Sequence, residues 1–238
     1  MTDTAVTLLS GGIDSATCLG IACNNHDRII PVHYQYGQQT AGVEKQMAEN
    51  QRANMVEQYP HVEIDSLKVV DYEPVFKHNA GGVADASKQF GHMTEDDGRS
   101  SGYVSMRNLH LIATGAAFAD TNNATAVYHG AQGGDHADYP DCRPAFMSAA
   151  NNAISRSVPD GQTLELKTPL LSLSKPDVLE LAEEVGVAFE YTYSCYTNTP
   201  INDPKPCGDC PACIERAEAF SASSATDPFQ TQEVVSHD

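Results

Sequence analysis

Apolar positions along this chain fall into short strand-like runs that alternate with longer stretches of helical spacing. Ala5, Val6, Leu8 and Leu9 make the first run, and Ile13 to Cys23 follows with helical periodicity. Arg28 to Tyr34 predicts a second strand and Val62 to Val70 a third, with a polar surface helix from about Gly42 to Gln58 between them. Met106 to Asp120 predicts a helix that gathers Leu109, Ile112, Ala113, Ala116 and Ala117 on one side. Ala124 to His129 and Gln162 to Leu166 predict a fourth and a fifth strand. Ser174 is the expected N-cap of a further helix, with Pro176 and Asp177 in its first turn and Gly186 just past its end near Val185. Such β–α units predict an α/β fold, an open parallel sheet with helices on both faces. Ligands bind beyond the carboxyl ends of strands in these sheets, so the loops after Leu9, Tyr34 and His129 should converge.

Two stretches break the alternation. Residues 71–101 are rich in Gly, Asp, Ser and His without an apolar period, which predicts a lid over the site or a flexible insertion. From Ser221 onward the chain is polar and small-residued and is expected to fray. The implied organisation is an α/β domain over 1–188, a cysteine-bearing segment over 189–220 and a tail over 221–238.

Charge narrows the range of partners. With 14 basic against 32 acidic residues the formal net charge is −18, which argues against a broad basic face for RNA or DNA. The acidic, lysine-poor composition fits a cytoplasm of high salt, where repulsion is screened at short range, and equally an ordinary acidic enzyme. No apolar run approaches the roughly 20 residues that span a bilayer. Nothing at the N-terminus reads as a signal peptide, so a reducing cytoplasm is the expected compartment.

The chemistry concentrates at the two ends of the chain. Ser10-Gly11-Gly12-Ile13-Asp14-Ser15 follows the first strand and opens the first helix. Gly11 and Gly12 can take positive φ, and successive N–H groups at a helix N-terminus form an anion-binding nest. The Ser10 and Ser15 hydroxyls add donors for phosphate oxygens. A glycine turn capped by Asp14 is the simpler reading of the same residues.

Near the other end, Cys195, Cys207, Cys210 and Cys213 form a Cys-x11-Cys-x2-Cys-x2-Cys set, with Gly208 and Pro211 suited to tight turns. Four thiolates suit one structural Zn(II) in a closed tetrahedral shell. Disulfides, an iron–sulfur cluster and unliganded thiols are the alternatives.

Three clusters lie between these ends. Arg107 offers a planar fork for a phosphate or carboxylate, and Asn108 can read a base edge. The loop from Gly130 to Arg143 carries Asp135, Asp141 and Arg143 with almost no apolar filler. Lys175, near a helix start, could reach phosphates.

The Ser-Gly-Gly-x-Asp-Ser loop resembles that of the N-type ATP pyrophosphatases, the PP-loop superfamily. With Tyr-Gly-Gln at 36–38, Arg-Asn at 107–108, Tyr-Pro-Asp-Cys-Arg at 139–143, Thr-Pro-Leu at 168–170, Ser-Cys-Tyr at 194–196 and the cysteines, nearly the whole chain resembles the 7-cyano-7-deazaguanine synthase family. The resemblance implies an adenine-nucleotide alpha-hydrolase-like fold with a C-terminal zinc knuckle. It implies a C–N ligase that turns 7-carboxy-7-deazaguanine and ammonia into the nitrile with ATP and Mg(II), through an adenylylated carboxylate and an amide, for queuosine or archaeosine.

ATP would then contact the segment Leu9, Ser10, Gly11, Gly12, Ile13, Asp14, Ser15, Ala16, Thr17, Cys18 and Leu19. Cys18, with Cys23, also reads as core packing. Asp14, Arg107, Lys175, Asp135, Asp141 and Arg143 are the expected catalytic set. Lys175 and Arg107 would offset charge at the α-phosphate, and Asp135, Asp141 and Arg143 would grip the base and carboxylate or order ammonia. The expected partners are these small molecules, without nucleic acid or membrane, in a chain that could form a homodimer. One departure stands out: the family's Pro and small residue before Arg-Asn are Ser105 and Met106 here. A tRNA-thiolating member of the superfamily, with Cys142 as its thiol, and a non-catalytic nucleotide- or zinc-binding module are the rival readings.

Overall fold

The computed structural model describes residues 2–76 and 102–229. Its strands are β1 (Thr4–Leu8), β2 (Arg28–Gln35), β3 (Glu63–Ile64), β4 (Lys68–Asp71), β5 (Ala126–Tyr128) and β6 (Glu165–Lys167). Every described pairing is parallel, in the order β3-β2-β1-β5-β6, with β4 also on β2. The helices are α1 (Ile13–Cys23), α2 (Ala41–Gln58), α3 (Glu73–Phe76), α4 (Arg107–Thr121), α5 (Asp135–Asp138), α6 (Pro144–Ser155), α7 (Lys175–Glu184) and α8 (Pro211–Ser221).

Strand alternation sends side chains to two cores. Ala5, Ile29, Ala126 and Tyr128 pack with α1, α7 and α8 through Leu19, Leu179 and Phe220. Val6, Ile30, Val32 and Val127 face the other way, onto α4 and α6 through Ile112, Ala116, Met147 and Ile154. Helices therefore cover both faces, as the alternation of strand and helix along the chain predicts. β1 is the centre, and the chain leaves it toward β2 on one side and returns as β5 on the other. The crevice beyond the carboxyl ends of β1 and β5 is thus the topological switch point.

Several elements depart from the sequence reading. The single strand over 62–70 is two, because β3 pairs with Arg28–Ile29 and β4 with Val32–Gln35. The polar helix α2 buries a stripe of Val43, Met47, Gln51 and Met55. Helix α6 went unread behind the Pro-rich 140–144 run, although Pro144 is tolerated in its first turn. Ser174 and Asp177 form a reciprocal capping box at α7, as expected. The expected fraying from Ser221 does not hold as far as Phe229. Asp227 is buried there, and its carboxylate takes two hydrogen bonds from Arg216 at 3.0 and 2.9 Å. Of the expected lid over 71–101, residues 77–101 lie outside the described residues. No described helix is long and apolar enough to cross a membrane.

Candidate active site

A cavity of about 280 Å³ opens at the switch point, with Ser10, Gly12, Ile13, Asp14 and Ser15 on its wall. The loop is pre-shaped by its own hydroxyls. Ser15 Oγ donates to the Gly12 carbonyl at 2.9 Å and accepts the Ser10 N–H at 3.1 Å, and the two serine hydroxyls lie 2.9 Å apart. Gly11 has φ +93°, and a Cβ there would sit 2.3 Å from the Glu44 carbonyl oxygen. Gly12 does not take positive φ; at −93° and ψ 167° it is the extended N-cap of α1. Leu9, Ala16, Thr17, Cys18 and Leu19 are buried beneath the loop and off the cavity wall, which Ser10, Gly12, Ile13, Asp14 and Ser15 reach. Burial also pushes the Cys18 thiol up, with Asp14 adding, which leaves it inert.

Lys175 arrives from the start of α7. Its Nζ donates to both Asp14 carboxylate oxygens, at 2.8 and 2.6 Å. Burial works against the ammonium, but Asp14, Glu215 and Asp135 outweigh it and hold Lys175 above its ordinary value. Asp135 opens α5 and accepts the Gln132 N–H at 3.0 Å. Burial, with Asp14 adding, lifts its carboxyl to about 6. The Gln132 side chain donates to Glu215, a further wall acid that comes from α8, at 3.2 Å.

Arg107, the first residue of α4, lines the cavity between Tyr36 and Tyr139, 5.7 and 5.8 Å from their ring centroids. The Asn108 carboxamide is engaged within the protein: Nδ2 donates to Cys142 Sγ at 3.2 Å and Oδ1 lies 3.3 Å from His129 Nε2. Met106, which precedes them, sits in the left-handed region at φ 55° and supplies no side-chain cap. Asp141 replaces that cap from another loop, accepting the Asn108 N–H at 2.9 Å. Asp141 is buried, off the cavity wall and engaged with the helix end. Arg143 is exposed, off that wall, and donates to the His136 carbonyl at 2.9 Å. These two members of the expected catalytic set therefore stand outside the cavity, because the turn at 140–142 directs them away from it.

The cysteines form one cluster. All four Sγ atoms lie within 4.8 Å of one another, with Cys195–Cys207 at 3.4 Å, Cys207–Cys213 at 3.9 Å and Cys195–Cys210 at 4.0 Å. Four thiolates about 2.3 Å from a tetrahedral ion stand about 3.8 Å apart, so the set fits a single metal ion. Backbone N–H groups of Thr197 and Cys207 donate to Cys195 Sγ, each at 3.3 Å. The cluster packs on Val43 and Met47 of α2. It is part of the cavity wall's support, not a detached appendage: the Tyr193 N–H donates to the Gly11 carbonyl at 2.9 Å. Tyr193, Ser194, Tyr196, Glu215 and Arg216 reach the cavity from the same region. Sequence reasoning missed Glu44 and Glu215 as wall residues, since each sits among the polar positions of a helix with no motif around it.

A family model described as "Queuosine biosynthesis protein QueC" matches residues 4–224. A 7-cyano-7-deazaguanine synthase of Methanoculleus marisnigri is 34% identical over 229 residues, covering 95% of this chain and 97% of its own length. Its counterpart from Halobacterium salinarum is 33% identical over 234 residues, covering 98% and 97%. A solved 4-thiouridine synthetase–RNA complex with bound ATP covers 92% of this chain and 54% of that one, at 16% identity and a TM-score of 0.43. That last likeness is too remote to carry an argument. The family match runs through the Ser10–Ser15 loop, the Arg107 turn and all four cysteines, and the chain belongs to the QueC family of queuosine biosynthesis proteins.

Proposed function

We propose that the cavity carries out the reaction for which the relatives are named, forming 7-cyano-7-deazaguanine from 7-carboxy-7-deazaguanine, ammonia and ATP. A carboxylate cannot expel oxide. Attack of its oxygen on the α-phosphate of ATP makes an acyl adenylate and releases pyrophosphate. Ammonia then displaces AMP to give the amide. Adenylylation of the amide oxygen by a second ATP releases a second pyrophosphate, and loss of AMP and two protons then leaves the nitrile.

The observation that carries this reading is the hydroxyl-braced loop facing Lys175 across Asp14 in one cavity. The N–H groups and hydroxyls from Ser10 to Ser15 would hold pyrophosphate at the α1 N-terminus. Lys175 would offset charge as pyrophosphate leaves. Asp14 and Asp135 fit as oxygen donors to a Mg(II) that neutralises phosphate charge when bound. The four thiolates would hold a structural Zn(II), which leaves no open position for substrate. Cys142 does not favour the thiolating alternative: burial, with Asp135 and Asp141 adding, pushes its thiol up, so the nucleophilic thiolate is scarce.

The test is mass spectrometry of purified protein with 7-carboxy-7-deazaguanine, ammonium, ATP and Mg(II), in low and molar KCl. Nitrile that depends on ATP and ammonium is expected, and activity confined to molar salt would carry the high-salt reading of the −18 charge. Intact ATP with every component present and metal-loaded protein would sink the proposal.

A further inference from the structure

Arg107 is a cavity cation without a carboxylate within hydrogen-bond reach among the described residues. Its described hydrogen bond goes to the Tyr36 hydroxyl, at 3.4 Å. The groups around it carry little compensating charge. Burial, against the pull of Arg107 itself, pushes the Tyr36 phenol up to about 12. Burial, helped by Arg107, pushes His129 down to about 4. These groups are neutral at pH 7. Asp141 is the nearby acid, and its Oδ2 is turned to the N-terminus of α4.

The phosphate-loop side of the cavity has the opposite balance, with Asp14, Asp135 and Glu215 against Lys175. That side suits phosphates that arrive with a divalent cation. The Arg107 side suits a bare anion attached to a flat ring. Tyr36 and Tyr139 flank the guanidinium, and the Tyr139 and Tyr196 hydroxyls lie 3.3 Å apart, so three aromatic side chains frame it. Aromatic faces stack on planar heterocycles, and a guanidinium fork pairs with a carboxylate.

We propose that Arg107 is the subsite for the carboxylate of the heterocyclic acid, with Tyr36, Tyr139 and Tyr196 forming the walls for its ring. This rests on the reading of the substrate given above and revises the expectation that Arg107 serves the α-phosphate. It has a consequence for the second half of the reaction. Conversion of carboxylate to amide removes the charge that Arg107 holds, so the ring keeps its stacking while the new amide is released to turn toward a second ATP.

The experiment is calorimetric binding of the acid, of its 7-carboxamide and of Mg–ATP to wild type, Arg107→Met and Arg107→Lys. Arg107→Met should weaken the acid by roughly tenfold to a hundredfold, the scale of a charge-assisted hydrogen bond. The carboxamide and Mg–ATP should bind both proteins alike, which also shows that the variant is folded. Arg107→Lys should recover part of the affinity, since it keeps the charge and loses the fork. Equal weakening of acid and carboxamide, or a loss confined to Mg–ATP, would overturn the assignment. Absence of nitrile formation by the wild type would instead count against the reaction itself, whatever the binding shows.

Discussion

Lys175 Nζ lies 2.6 Å from Asp14 Oδ2, joining two residues 161 positions apart across the mouth of the loop. The pair holds the ammonium at the start of α7 beside the N-terminus of α1, where phosphates would sit. Lys175→Met should lower nitrile turnover by about 10²–10³, the usual cost of removing one charge-stabilising donor. Steady-state kinetics checks this, with bound metal per chain as the control for folding.

Asp135 makes stability depend on pH in a definite direction. Its carboxyl is raised to about 6, chiefly by burial and then by Asp14. The folded chain therefore keeps its proton longer than the unfolded one, and this group costs stability as pH rises from about 4 to about 6. Asp135→Asn should melt higher than wild type at pH 7–8, by roughly 2–4 °C for each kcal/mol relieved. The gap should close below pH ~4, the unfolded carboxyl range. Melting curves across that window decide it, and a gap independent of pH would contradict the assignment.

Gly11 and Gly161 share positive φ, at +93° and +88°, but not their surroundings. A Cβ at Gly161 meets nothing within 4 Å, whereas one at Gly11 meets the Glu44 carbonyl oxygen at 2.3 Å. Gly161→Ala should cost about 1 kcal/mol of backbone strain. Gly11→Ala should cost more than that and abolish ATP binding, because α2 and the loop cannot both keep their places. Chemical denaturation with nucleotide titration compares the two, and equal penalties would be the contrary result.

Arg216 and Asp227 form a buried pair, each 5% exposed, with Phe220 and Phe229 rings 5.1 Å from the guanidinium carbon. Arg216 also donates to the Thr192 and Ser194 hydroxyls, at 3.1 and 3.4 Å, on either side of the residue that bonds Gly11. Asp227→Asn should cost about 3–5 kcal/mol, the penalty for leaving a buried charge unmatched. The ATP affinity should fall with it, as the segment bracing the loop loosens. Unfolding midpoints and ATP titrations give the two readouts, and an unchanged midpoint would show that the pair contributes nothing.

The linear order of residues determined the elements whose signal is local. Short apolar runs around Val6, Ile30 and Val127 specified buried parallel strands, and Ser174 with Asp177 specified the cap of α7. The phosphate loop and the cysteine set were equally legible, because neighbouring residues build each one. Helix α6 was legible in principle from Met147, Ala150 and Ile154, but the prolines around Arg143 masked it. Tertiary structure alone decided which polar residues reach the cavity. Asp141 and Arg143 share a motif with Tyr139 and Cys142, yet only the latter two reach the cavity wall, while Glu44 and Glu215 reach it from separate helices. A side chain's direction at such positions depends on the packing of distant elements, and that packing has no local period to read.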